Sequence, residues 1–308
     1  MSRIVLVHGM GQEQKSADAL EAEWIPALAG GIRAAGHSHI ADLVWRGARP
    51  GAHETRMAFY GDLFLTSGRM GGGQDLRDLS LEQHELAQAL AVEWLRRAEE
   101  RAASQADREE AHRQLRALDA TAAGRQGLSR AGRPALNGLA RLRWFAPAGM
   151  WLAQTFAHRT LAQVTRYLTE EELSEEVQER IAAHIGPETI AIIGHSLGSV
   201  AAFQAAHRLD QELPLLLTLG SPLGLRTLVY DRLPESKTVP ATTRRWVNLA
   251  DRDDLVAAVP DLAPLFADPH GALASDWTLD NGSQPHLAAS YLGKRQVGNA
   301  VARVLPPK

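Results

Sequence analysis

At 308 residues, with a formal charge of −3 and apolar residues making up 45% of the chain, the sequence can build one large core and an added segment. The near-neutral charge argues against a nucleic-acid partner, and the absence of cysteine removes disulfides and metal–thiolate sites. No stretch approaches the roughly eighteen apolar residues of a membrane span, and the start lacks the basic and apolar regions of a signal peptide. A cytoplasmic protein is therefore expected.

In chain order, Arg3-Ile4-Val5-Leu6-Val7 reads as a buried strand that runs into the glycine-bearing loop His8-Gly9-Met10-Gly11. A strand followed by Gly9-Met10-Gly11 also begins a dinucleotide fingerprint, but the third glycine it requires is replaced by Gln14. An amphipathic helix is predicted over 16–35 and a second strand over 40–45. His37 and His39 read as surface residues, and neither a metal nor a cofactor is expected. From 46 to 188 the pattern changes to a helical insertion, with helices predicted over 80–120, 133–168 and 170–185. The triglycine Gly71-Gly72-Gly73 lacks a following Lys-Ser or Lys-Thr, so it reads as a turn rather than a phosphate loop. Glu93/Arg97 and Glu109/Arg113 have the spacing of helical ion pairs on a solvated face.

Between 120 and 169 the insertion holds no aspartate or glutamate, whereas arginines occupy 125, 130, 133, 141, 143, 159 and 166. Trp144, Phe145, Met150 and Trp151 are interleaved with them. Basic residues beside aromatics suit a membrane surface or an acyl-binding lid, because arginine pairs with anionic headgroups and tryptophan settles at the interface. Packing of the same aromatics on a core is the competing expectation.

The most informative stretch is Gly194-His195-Ser196-Leu197-Gly198, set between the apolar run Thr189-Ile190-Ala191-Ile192-Ile193 and the helical Ser199-Val200-Ala201-Ala202-Phe203. A serine at a sharp strand-to-helix turn needs a strained backbone and close strand–helix approach, so Gly194 and Gly198 stand where side chains would collide. Such a turn aims Ser196 away from the sheet and sets the Leu197 amide beside it at a helix N-terminus. The Met10 amide, in the loop shaped by His8 and Gly9, is the expected second donor of an oxyanion hole.

A serine nucleophile needs a base and an acid. Downstream, 243–249 is a plausible strand ending in Ala250-Asp251-Arg252-Asp253-Asp254-Leu255-Val256. Asp254, followed by two apolar residues and then Pro260, is favoured as the acid over Asp251, which lies nearer the strand end. Only His270 and His286 follow these aspartates. His286 sits in a turn-rich loop opening onto a final helix predicted over 287–304, the expected address for the base, while His270 reads as a turn residue.

With these residues in place, the chain resembles the lipase and esterase branch of the α/β-hydrolase family. The resemblance rests on Val7-His8-Gly9-Met10-Gly11, Gly194-His195-Ser196-Leu197-Gly198, Thr218-Leu219-Gly220-Ser221-Pro222, the acidic segment from Asn248 to Val256, and Pro285-His286. It implies an α/β fold, a mostly parallel sheet flanked by helices over 1–45 and 189–308; the chain departs from simpler members through the helical insertion 46–188, expected to form a cap. It also implies hydrolysis of carboxylic esters by Ser196, His286 and Asp254 on a small-molecule or lipid ester, and the basic aromatic segment adds the expectation of contact with a membrane surface. Amide or peptide hydrolysis by the same triad, and a non-catalytic binding module on the same fold, are the alternatives.

Overall fold

The computed structural model describes residues 2–45, 53–65, 79–124, 135, 138, 139, 142 and 150–305, with only the backbone described at 121–124 and 150–156. In chain order the elements are β1 (Arg3–Val7), α1 (Ala17–Ala34), α2 (Ser38–Trp45), β2 (Glu54–Ala58), α3 (Leu81–Arg101), α4 (Gln105–Gly124), α5 (Met150–Thr169) and α6 (Glu171–Ala182). The remainder comprises β3 (Thr189–His195), α7 (Leu197–His207), β4 (Leu215–Leu219), β5 (Trp246–Asp251), β6 (Leu273–Leu279), α8 (Ala288–Leu292) and α9 (Arg295–Ala302). The chain divides into two compact units, Met1–Asp62 with Glu175–Lys308, and Leu63–Ser174.

The first unit is built on one six-stranded sheet in the order β2-β1-β3-β4-β5-β6, with every neighbouring pair parallel. Parallel strands bury both faces, so the central strands are almost continuously apolar, as in Ile4 to Val7 and Leu215 to Leu219. Alternate residues serve opposite faces. Ile4, Leu6, Ile193, Leu217 and Leu249 join α1, α8 and α9 in one core, where Leu28, Ile32, Tyr291 and Val301 are fully buried. On the other face Trp246, Phe203 of α7 and Phe266 pack with ring centroids 5.0–5.1 Å apart. The strand order reverses between β1 and β3, and the crevice beyond the carboxyl ends of strands at such a switch point is where open α/β sheets bind ligands.

Three expectations are corrected here. Residues 40–45 form the body of α2 rather than a strand: Ala41 and Val44, three apart, turn into the core, while Asp42 pairs with Arg33 at 3.0 Å. The strand beside β1 is β2, so the sheet-bearing unit continues past position 45 and resumes at Glu175 rather than 189. The predicted last helix is two, α8 and α9, with Gly293 closing the first and Lys294 in extended backbone before the second.

The second unit is helical in its described part. α3 starts at a reciprocal cap between Ser80 and Gln83 and buries Leu86, Leu90, Trp94 and Ala98 along one stripe. The helix predicted over 80–120 breaks at Ala102 into α3 and α4. The expected Glu93–Arg97 pair forms at 2.8 Å, but Arg113 pairs with Glu110 rather than Glu109. Trp144 and Phe145 lie outside the described residues, as do the side chains of Met150 and Trp151 at the start of α5. Among the described residues no helix is long and apolar enough to cross a membrane.

Candidate functional site

The site gathers at the carboxyl ends of β1, β3, β4 and β5. Ser196, between β3 and α7, has φ 55° and ψ −132°. Among the described residues it is the one non-glycine with positive φ. A side chain held there stores strain that only tight surroundings maintain. Those surroundings are the elbow glycines. A methyl group on Gly194 would strike the Gly198 carbonyl and lie 2.7 Å from Ser199 Cα, and one on Gly198 would strike the carbonyls of Val7 and His8. Strand, helix and the β1 loop thus touch through glycine backbone.

His286 reaches Ser196 from the loop before α8. Its Nε2 lies 2.9 Å from Ser196 Oγ and its Nδ1 lies 2.8 Å from Asp254 Oδ2. A carboxylate only accepts, so Nδ1 carries the proton and Nε2 offers its lone pair to the serine hydroxyl. Asp254 is completely buried, which pushes its carboxyl up. The neighbouring His286 imidazole and hydrogen bonds from His286 and Tyr291 outweigh that and hold it below the usual carboxylate range. Its other oxygen accepts from the Val256 amide at 2.9 Å. Such a series can draw the proton from Ser196 as its oxygen attacks an electrophile.

Asp251, the competing acid, is spent on backbone. Its oxygens accept from the amides of Asp253, at 2.7 Å, and Asn281, so it ties the Asp254 loop to the one that leads to His286. Burial raises its carboxyl above the usual range. His270 lies exposed in a turn where its amide is capped by Asp268.

The loop after β1 stands beside the serine, since a methyl on Gly9 would meet Ser196 Cβ at 2.7 Å and Oγ at 3.3 Å. Met10 follows directly, and Leu197 opens α7, where a first helical amide has no intrahelical acceptor. His8 fixes this loop. Its Nε2 accepts from the Tyr60 amide at 3.1 Å and its Nδ1 donates to the Gly9 carbonyl at 2.7 Å, while the Tyr60 hydroxyl donates to the His8 carbonyl. Burial lowers His8 to about 4, so the ring is neutral. It is a brace rather than a proton carrier.

Four residues of the site were given no role by sequence reading. Tyr291, fully buried, donates to Asp254 Oδ2 at 2.7 Å and accepts from the Asp251 amide at 2.7 Å. Gly220, at φ 54°, leaves room for Asp254 Oδ2, which a methyl there would approach to 2.7 Å. Asn281 braces the histidine loop through the Pro285 carbonyl at 2.8 Å. His195 packs its ring 4.6 Å from that of His286, and burial lowers it to about 3. Gly220, placed after an apolar run, and His195, inside the elbow, carried a signal in the sequence. Among the described residues no group of three or more His, Asp or Glu side chains is gathered as metal ligands would be.

Comparison of the chain with family models, with curated proteins and with solved structures found no match.

Proposed function

We propose that this chain is a serine hydrolase of the α/β-hydrolase type that cleaves carboxylic esters through an acyl-enzyme. The observation that carries the reading is the unbroken series Ser196–His286–Asp254 with the serine on a strained strand-to-helix turn. In the reaction, Ser196 Oγ attacks the ester carbonyl carbon while His286 Nε2 takes its proton. The amides of Leu197 and Met10 stabilise the oxyanion. The imidazolium, steadied by Asp254, gives its proton to the departing alkoxide and leaves Ser196 acylated. Water then enters, loses a proton to His286 Nε2 and attacks the acyl carbon. Collapse returns the proton to Ser196 and releases the acid.

A fluorophosphonate probe tests the nucleophile without a known substrate. The expected result is one covalent adduct on Ser196; an unlabelled native protein rejects the reading. A series of acyl esters of increasing chain length, with phospholipids and an anilide of the best acyl group, then ranks ester against amide. Esters are expected to turn over faster, and a preferred anilide would move the assignment to an amidase.

The acid-free, arginine-rich segment that carries Trp144, Phe145, Met150 and Trp151 is assigned to contact with an anionic lipid surface. Cosedimentation with anionic vesicles checks this. The native protein should bind and a Trp144→Ser/Trp151→Ser double variant should bind less, whereas no binding by the native protein removes the membrane contact.

A further inference from the structure

Asp254 Oδ2 receives two hydrogen bonds, one from His286 Nδ1 at 2.8 Å and one from the Tyr291 hydroxyl at 2.7 Å. The chemistry proposed above requires only the first. The tyrosine oxygen in turn accepts the Asp251 amide at 2.7 Å, so it donates to the acid and accepts from the loop that carries the acid. Tyr291 is completely buried on α8, five residues after His286, and Gly220 lies against both the phenol ring and Asp254. An apolar core position would be filled as well by phenylalanine. The hydroxyl instead closes a ring of contacts joining the β5 loop, the His286 loop and α8.

We infer that Tyr291 is a positioning residue of this centre: its hydroxyl clamps the Asp254 carboxylate and sets how strongly that carboxylate holds the His286 imidazolium. A carboxylate oxygen that shares its charge with a phenol has less to offer the imidazole. Removing the hydroxyl concentrates charge on the His286 side, which makes the imidazole easier to protonate, and frees the carboxylate to turn. The other titratable groups facing this cluster are His195, which stays neutral, and Asp251 and Asp253 in the acid's own loop. Tyr291→Phe removes none of these groups and keeps the ring, so the difference between the two pH profiles reports the hydroxyl and the two hydrogen bonds it makes.

The inference rests on the serine-hydrolase reading, and its test needs no substrate. The rate of fluorophosphonate labelling at Ser196 is measured across the acidic limb for the native protein and Tyr291→Phe, with Ser196→Ala as the blank. Tyr291→Phe is expected to label about tenfold more slowly at its optimum, with the acidic limb displaced upward by on the order of half a pH unit. A slower rate with an unmoved limb reduces Tyr291 to packing and overturns the inference, as does a profile superimposable on the native one. Absence of labelling in the native protein rejects the hydrolase reading instead. Should Tyr291→Phe fail to fold, uniform incorporation of ring-fluorinated tyrosine keeps the shape and strengthens the donor. It must then displace the limb downward, and an unmoved limb overturns the inference.

Discussion

A hydroxyl is a poor nucleophile until a base takes its proton, so the three members of the series should behave as one unit. Ser196→Ala is expected to lower ester hydrolysis on the order of 10³-fold or more, with the fold retained by circular dichroism. His286→Ala should be nearly as damaging, and the double variant little worse; additive losses would mean that the two side chains act separately. The two aspartates separate by readout. Asp254→Asn presents a donor where His286 Nδ1 must be bonded and should cost on the order of 10⁴-fold in kcat with a small change in Tm. Asp251→Asn replaces one of two oxygens that each hold a main-chain amide, so it should lower Tm and spare most activity. The opposite pattern in those assays would exchange their roles. Ser196, His286 and the pair of aspartates from which the structure selects Asp254 were legible because each needs a particular residue type at a particular place along the chain. Tyr291 was not, since a tyrosine in a short helix reads as core and only the third dimension brings its hydroxyl to Asp254.

At the scale of elements, sequence reading named no strand at three places: β4 inside the sheet, and β2 and β6 at its two edges. β2 alternates Thr55 and Met57, buried, with the exposed Arg56, and β6 keeps most of its residues partly open to solvent. An edge strand has fewer faces to bury, so its apolar signal thins. The segment over 40–45 erred in the other direction, because Ile40, Val44 and Trp45 favour strands in isolation, yet packing two of the helix positions against α1 decided for helix. The helices that hold the histidine loop meet at a point with no room to spare: a methyl on Gly298 of α9 would strike the Gly31 carbonyl of α1. Gly298→Ala should therefore cost about 1–3 kcal/mol of stability through overpacking. Chemical denaturation checks this, and an unchanged midpoint would mean that the helices slide apart freely.

At the scale of the whole molecule, two fully buried rings should contribute most to the acid dependence of stability, with the half-buried His184 and His207 lowered in the same direction. Burial holds His8 at about 4 and His195 at about 3, both below the ordinary 6.5. The unfolded chain therefore takes up these protons first. Their contribution is fully present above about pH 6.5 and is lost as pH falls through 4 and then 3, at up to about 1.4 kcal/mol per pH unit for each ring. Thermal unfolding should shift steadily downward from pH 6.5 to pH 4. His195→Asn should flatten that slope, and an equally steep decline in the variant would place the proton uptake elsewhere.

By itself the sequence marked the parallel α/β class, the strand-to-helix turn at Ser196 and the place of His286 downstream of the aspartates, because local backbone demands and apolar runs are written in consecutive residues. Only the tertiary structure decided between Asp254 and Asp251, set β2 and β6 at the sheet edges and brought Tyr291 to the acid. Those choices depend on which groups meet across long stretches of chain, as Asp251 meets Asn281 and Asp254 meets Tyr291 at sequence separations of 30 and 37. Contacts of that range are chosen by the packing of whole strands and helices, and local sequence does not encode them.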